Sequence, residues 1–265
     1  MSLTLTFLGT GTSAGVPMIG CDCRVCTSDD PRDRRDRPSV MLRFADQRGR
    51  RRTILIDTSP DLRYQMIRHS VNRLDGVFYT HNHADHVFGI DDLRRFNAVM
   101  QEPMDIYGER YMLDWLITTF PYIFAPHKNV NPSFVPDLIL HEVAPAEPFD
   151  LFGHTFTPVR LLHGRLPILG YRLGNLAYCT DCSAIPPESY SQLEGLDVLI
   201  IDGLRYRHHP THLTINQALG IIDQLAPQRA YLTHMSHEIL HAELDPQLPP
   251  NVHLSYDGLE VETAL

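Results

Sequence analysis

Apolar positions along this chain recur with two periods. From residue 3 to residue 8 apolar and polar side chains alternate, which predicts a strand, because successive side chains of extended backbone point to opposite faces. Residues 39–44 and 53–57 read as a hairpin with its tip near 47–50, the second arm ending in Asp57. Further strands are expected at 77–79, 104–107, 138–143, 155–162, 169–173, 176–179 and 230–233. The unbroken apolar run at 198–201 marks a strand buried on both faces. Helical spacing is expected over 61–69, 90–100, 111–124 and 214–225, the last with Thr214 placed to cap it. Residues 260–265 close the chain and 125–132 read as an exposed loop carrying Lys128, the one lysine. Strands interleaved with helices, then the same theme again, suggest two sheets covered by helices, a four-layer α/β arrangement. No repeat or linker divides the sequence, so a single domain over 1–265 is expected.

The polar residues that close these strands carry the chemistry. Directly after the apolar run at 77–79 stands Thr80-His81-Asn82-His83-Ala84-Asp85-His86. His81 and His83 are two apart, so in extended backbone they point the same way and can grip one ion. Asp85 and His86 fall where the chain turns into a helix and project differently, which suits a second ion. Imidazole with carboxylate is a ligand set for zinc, manganese or iron. His163, Asp181 and His234 also follow apolar runs, and parallel strands gather their carboxyl ends. His81, His83, Asp85, His86, His163, Asp181 and His234 are too many donors for one ion and suit two that share a bridge, a role Asp181 fits. Two such cations activate a bridging hydroxide and stabilise the oxyanions of phosphoryl or acyl transfer. Asp57, also at a strand end, is placed to orient a metal-bound histidine.

Other motifs allow two readings. Cys21-Asp22-Cys23-Arg24-Val25-Cys26 puts three thiols on a short loop that can wrap a tetrahedral structural zinc, with a distant histidine as fourth ligand. The glycine-threonine loop at 9–15 is either a tight turn or an anion-facing loop. Arginines in the 32–52 segment read as a solvated loop, with a phosphorylated substrate or RNA as the alternative. The aromatic 111–124 helix is either ordinary packing or a substrate wall, and Cys179 and Cys182 read as packing residues.

Composition narrows the field. The 265 residues include 23 basic and 32 acidic side chains, a net charge of −9 that gives no general attraction to nucleic-acid phosphates. No apolar run is long enough to span a bilayer, the N-terminus lacks a signal-peptide pattern, and five cysteines suit ligands and buried thiols. A cytoplasmic enzyme without membrane attachment is expected, and its fifteen histidines call for a site.

Thr-His-Asn-His-Ala-Asp-His with the later His163, Asp181 and His234 resembles the metallo-β-lactamase superfamily of binuclear hydrolases, which implies an α/β fold, the four-layer αββα sandwich of two mixed sheets. That resemblance covers residues 3–260 and implies that His81, His83 and His163 hold one metal, Asp85, His86 and His234 the other, with Asp181 between them. The segments 8–13 and 55–58 are similar to the RNase Z-like branch. Gly20-Cys21-Asp22-Cys23-Arg24-Val25-Cys26 and Thr233-His234-Met235-Ser236-His237 look most like the PhnP family of phosphoribosyl cyclic phosphodiesterases. The likeness implies that His237 completes the cysteine zinc site and that His212 assists the transition state or leaving group, with Asp85 essential to turnover. It also implies manganese or zinc at the catalytic pair, a small cyclic phosphodiester as substrate, and a homodimer. An RNase Z-like nuclease, a lactonase or thioesterase, and a non-catalytic metal-binding protein of the same fold are the competing readings.

Overall fold

The computed structural model describes residues 2–131 and 133–265; Met1 and Pro132, the last residue of the expected 125–132 loop, lie outside the described residues. Among the described residues fourteen strands run in chain order: β1 (Ser2–Gly9), β2 (Ser39–Ala45), β3 (Arg51–Ile56), β4 (Gly76–Phe78), β5 (Met104–Gly108), β6 (Leu138–Glu142) and β7 (Phe149–Leu151). They continue as β8 (His154–His163), β9 (Leu166–Leu173), β10 (Leu176–Cys179), β11 (Val198–Asp202), β12 (Arg229–Thr233), β13 (Val252–Leu254) and β14 (Glu260–Ala264). One sheet has the order β14-β1-β2-β3-β4-β5-β6, the other β13-β12-β11-β10-β9-β8-β7. Each joins an antiparallel half to a parallel half: β3 through β6 are parallel in the first, β10 through β13 in the second.

The period-two pattern sorts side chains between layers. Leu3, Leu5 and Phe7 of β1, Ile54 and Ile56 of β3, and Val198 and Ile200 of β11 meet in the core between the sheets. Their alternates face outward under helices: Leu8 and Leu55 on one side, Leu199 and Ile201 on the other. Burying each such side chain contributes about 1.5–3 kcal/mol. The first outer layer is built from α1 (Leu62–Arg68), the short α2 (Ala84–Val87), α3 (Leu93–Met100), α4 (Arg110–Thr119) and α5 (Pro121–Phe124). The second rests on α6 (Ile215–Leu225) and α7 (His241–Leu244). Thr214 does cap α6: its hydroxyl accepts from the Gln217 amide, and the Gln217 side chain reaches back to the Thr214 amide.

Several expectations are corrected. The 111–124 helix is two helices, because Phe120 leaves helical geometry before Pro121 starts α5. Strands β7 and β13 escaped the pattern, being only three residues each, and β13 lies outside the 230–233 strand expected to be last in the core. Within 32–52 the arginines are not simply solvated. Arg35 is fully buried against Asp33 (3.0 Å), Arg52 bridges Asp46 and Asp75, and Arg37 and Arg43 pair with Asp61 and Glu260. The 9–15 loop is a packed turn rather than an anion cradle: the amides of Gly11, Thr12 and Gly15 are all bonded to backbone carbonyls. A Cβ on Gly9 would come 2.0 Å from the Arg37 carbonyl oxygen, which explains glycine there.

Candidate metal centres

Both parallel half-sheets end at one place. The Leu169 amide donates to the Thr80 carbonyl (3.1 Å) and the Tyr171 hydroxyl to the Tyr79 carbonyl (2.8 Å), tying the ends of the two sheets together. Asp57 follows β3, His81 follows β4, Asp181 follows β10 and His234 follows β12. Asp57, Asp181 and His234 have φ of 65°, 55° and 60°, in the left-handed region that costs about 1–3 kcal/mol per residue. Three such residues at strand ends in one cluster are held by their surroundings rather than by local preference.

Hydrogen bonds fix which ring nitrogen each histidine presents. Asp57, fully buried, accepts from the Thr80 amide (2.9 Å), the Thr80 hydroxyl (2.8 Å) and His86 Nδ1 (2.7 Å). With its proton on Asp57, the Thr80 hydroxyl accepts from His81 Nδ1 (3.0 Å). His163 Nδ1 donates to the Thr211 carbonyl (2.8 Å). His81 and His86 therefore turn Nε2 inward, and neither atom has a hydrogen-bond partner although both are buried. His234 Nδ1 is likewise buried and unpaired: it lies 2.8 Å from Asp181 Oδ1, but a hydrogen on it would not point at that oxygen. Orphaned nitrogens around a carboxylate are what a cation site looks like before its cation is counted.

The structure brings the seven predicted residues together in the expected partition. His81, His83, His163 and Asp181 have one donor atom each within 4.8 Å of one another, and so do Asp85, His86, Asp181 and His234. Asp181 belongs to both sets, and of the seven only His83 is exposed. Electrostatics agree with a place for positive charge. Burial pulls His86 down, but Asp181, Asp85 and Asp57 outweigh it and hold the imidazole well above its usual value. Burial pushes Asp181 up, and His234 and His86 more than reverse this, holding the carboxyl well below its usual range. His81, buried and beside His86, is held well below its usual value and stays neutral. The cluster thus favours positive charge at His86, beside the place a cation would take.

Cys21, Cys23, Cys26 and His237 form a separate group with donor atoms within 4.8 Å, the three sulfurs standing 3.2, 3.4 and 3.8 Å from His237 Nδ1. The Cys26 amide leads the groups that hold the Cys23 thiol down at about 6, whereas burial pushes Cys26 up to about 11. His237 and His234 share one loop, and the buried Arg35 guanidinium pins that loop by donating to the carbonyls of Ser236 (3.1 Å) and Ile239 (2.8 Å). Cys179 and Cys182 are fully buried, with thiols pushed upward by burial, and stand apart from both groups.

His212 packs between His163 (ring centroids 4.7 Å) and His234 (4.9 Å), and its Nδ1 lies 2.8 Å from Asp202 Oδ2. Asp202 is the residue the sequence reading missed. Its signal was available: an acid closing a strand buried on both faces, ten residues before His212. A groove of about 660 Å³ between α1 and α3, lined by Met66, Ile67, Phe96 and Val99, shares no residue with these groups; the convergence of donors, not cavity size, marks the site.

Residues 52–235 match the family described as Beta-lactamase superfamily domain. A crystal structure titled as a new diphosphatase from the PhnP family superposes with a TM-score of 0.90 at 42% identity, covering 99% of this chain and 98% of that one. A Porphyromonas gingivalis W83 protein named octanoyltransferase is 44% identical over 255 residues, 96% of this chain, and this chain spans only 50% of that relative's length. Zinc-bound PqqB from Methylobacterium extorquens shares the fold, with a TM-score of 0.75 at 19% identity over 97% of this chain and 99% of that one. Matched along most of its length by that family and along nearly all of it by a PhnP-family structure, the chain belongs to the metallo-β-lactamase superfamily and, within it, to the PhnP family.

Proposed function

We propose that this chain is a metal-dependent hydrolase that cleaves a phosphodiester bond in a small phosphorylated molecule. The observation that carries the reading is the convergence of His81, His83, His163, Asp85, His86 and His234 on Asp181, with three buried ring nitrogens left unpaired. These residues would hold two divalent cations, zinc or manganese, and Cys21, Cys23, Cys26 and His237 one structural zinc. Bound there, such a pair supplies Lewis acidity and a more acidic water.

The chain's own groups do the rest. Burial and the nearby Asp181 hold Asp202 well above the usual carboxylate range, and burial, with His234 next, draws His212 down to about 2. The 2.8 Å contact keeps one hydrogen between Asp202 Oδ2 and His212 Nδ1, and an Asp202 that carries it as a carboxylic acid leaves the ring's own hydrogen on Nε2. That N–H is a donor for the leaving-group oxygen as its bond to phosphorus breaks.

A PhnP-family diphosphatase as neighbour supports phosphorus as the centre attacked, and a cyclic phosphodiester is the substrate the family resemblance suggests. Octanoyl transfer fits this chain poorly. Its exposed lysine stands alone, three cysteines surround His237, and the other two are buried thiols, so no accessible thiolate remains to carry an acyl group. We place that activity in the half of the Porphyromonas relative that this chain does not span. The test is hydrolysis of bis-(para-nitrophenyl) phosphate and of 2′,3′-cyclic nucleotides by the metal-loaded protein. Turnover lost in Asp85→Ala supports the reading; a loaded protein that cleaves no phosphodiester ends it.

A further inference from the structure

One aromatic side chain next to the donor cluster is left in water. The open side of α2 carries His83, Ala84 and Phe88, and Phe88 is 52% exposed. The other side of α2 is pressed on the turn after β3. There the Thr58 amide donates to the His86 carbonyl (2.7 Å), the Thr58 hydroxyl to the Val87 carbonyl (3.2 Å) and the Gly89 amide to the Thr58 carbonyl (2.9 Å). The Phe88 amide still donates to the Ala84 carbonyl (3.1 Å), so Phe88 stands one helical turn beyond Ala84 and Asp85. Residues three and four apart on a helix are neighbours, with Cβ atoms about 5–6 Å apart, and a long side chain leans over the turn before its own Cα. The Phe88 ring is thereby directed over the exposed Ala84, beside Asp85, with His83 just beyond; Asp85 and His83 are two of the seven donors.

The segment from α4 to α5 braces this ring. Phe88 meets Phe120 nearly perpendicular (86°, centroids 5.9 Å), and Phe120 packs on Trp115 (6.2 Å) and Tyr122 (6.5 Å). The Tyr122 hydroxyl donates to Asp91 Oδ1 (2.9 Å) in the turn that follows α2. A perpendicular contact takes an edge or one face of the Phe88 ring and leaves a face free. The aromatic 111–124 stretch is therefore more than packing, since through Phe120 it holds an open ring at the rim of the cluster.

Resting on the hydrolase reading above, we infer that Phe88 is a specificity residue that stacks the nucleobase of a nucleotide-derived substrate whose phosphodiester reacts at the cluster. A helix rises about 1.5 Å per residue, so about 7.5 Å separates His83 from Phe88 along α2, a span that one pentose ring bridges. Ala84 leaves that span uncovered, because a larger exposed side chain there would stand between the cluster and the ring. A single open aromatic face suits a flat heterocycle, whereas an alkyl chain would meet only one wall. Stacking of this kind accepts any base, since each has a π-face.

The experiment compares zinc-loaded wild type, Phe88→Ala and Phe88→Trp on adenosine 2′,3′-cyclic phosphate and on glycerol 1,2-cyclic phosphate, which offers the same five-membered ring without a base. Losing one stacked base should lower the nucleotide-to-glycerol ratio of kcat/KM about tenfold in Phe88→Ala, mainly through KM for the nucleotide. Phe88→Trp, which keeps a larger aromatic face, should hold the ratio at or above that of wild type, with metal content equal in all three proteins. Adenosine monophosphate should quench the tryptophan fluorescence of Phe88→Trp more than that of wild type, whose one tryptophan is Trp115, and glycerol phosphate should quench neither. An unchanged ratio in Phe88→Ala, an equal loss on both substrates, or no added quenching in Phe88→Trp overturns the inference. Wild type that cleaves glycerol cyclic phosphate or bis-(para-nitrophenyl) phosphate but not the nucleotide overturns it while leaving the hydrolase reading intact; cleavage of none of the three ends both.

Discussion

Asp57→Asn tests how the cluster is held, because the change is isosteric and the structure says what it does. Asp57 is fully buried and accepts three hydrogen bonds, from His86 Nδ1 at 2.7 Å and from the amide and hydroxyl of Thr80 at 2.9 and 2.8 Å. An asparagine can keep the Thr80 amide on its oxygen, but then its NH₂ group faces two former donors. Losing the charge-assisted bond to His86 costs about 1.5–3 kcal/mol of stability in the metal-free protein. The functional effect is larger than the bond. The asparagine NH₂ would donate to His86 Nδ1 and hold the ring hydrogen on Nε2, the atom that faces Asp85 and Asp181 at 3.4 and 3.2 Å and would otherwise give its lone pair to a cation. Changing such an orienting partner typically lowers metal affinity about 10–100-fold. Metal retained after dialysis against graded chelator, with urea unfolding of the stripped protein, reads both effects. Affinity within about twofold of wild type would refute the reasoning, since His86 would then need no orienting acceptor.

Three further outcomes follow from particular contacts. His212→Ala should lower kcat about 10²–10⁴-fold on bis-(para-nitrophenyl) phosphate with metal content unchanged, and a loss under tenfold would remove His212 from proton donation. In the metal-free protein His86 should titrate above the usual imidazole range by NMR. Its pKa is raised, so its contribution to stability is complete below about 6.5 and is lost as pH rises through the elevated folded value; a midpoint at or below the usual imidazole value contradicts the electrostatics. Arg35→Met leaves Asp33 buried and frees the Ser236–Ile239 carbonyls, so urea unfolding should show a loss of about 3–5 kcal/mol, and less than about 1 would mean the pair is not a clamp.

The donor cluster was legible because its residues close strands, and strand ends of parallel sheets converge whatever lies between them. His81 and His83 show it within one motif, and Asp181 and His234 show it far along the chain from that motif, where a buried apolar run was the only guide. What stayed hidden depends on packing that local pattern does not encode. Arg35 reads as one more surface arginine until Asp33 and the 236–239 carbonyls close around it. Gly9 reads as part of a turn or an anion-facing loop until the Arg37 carbonyl is found against it. Asp202 looks like a strand terminator until His212 returns to meet it, and β7 and β13 are too short to show a period.

The central claim is that seven side chains from four separate segments hold two cations through one shared carboxylate, and metal content per chain tests it most directly. Elemental analysis of the reconstituted protein should find about three divalent ions, and about one in Asp181→Ala, because both members of the proposed pair would lose a ligand while the cysteine group would keep its own ion. A wild-type protein holding only one ion, or an Asp181→Ala protein that still holds all three, would contradict the account.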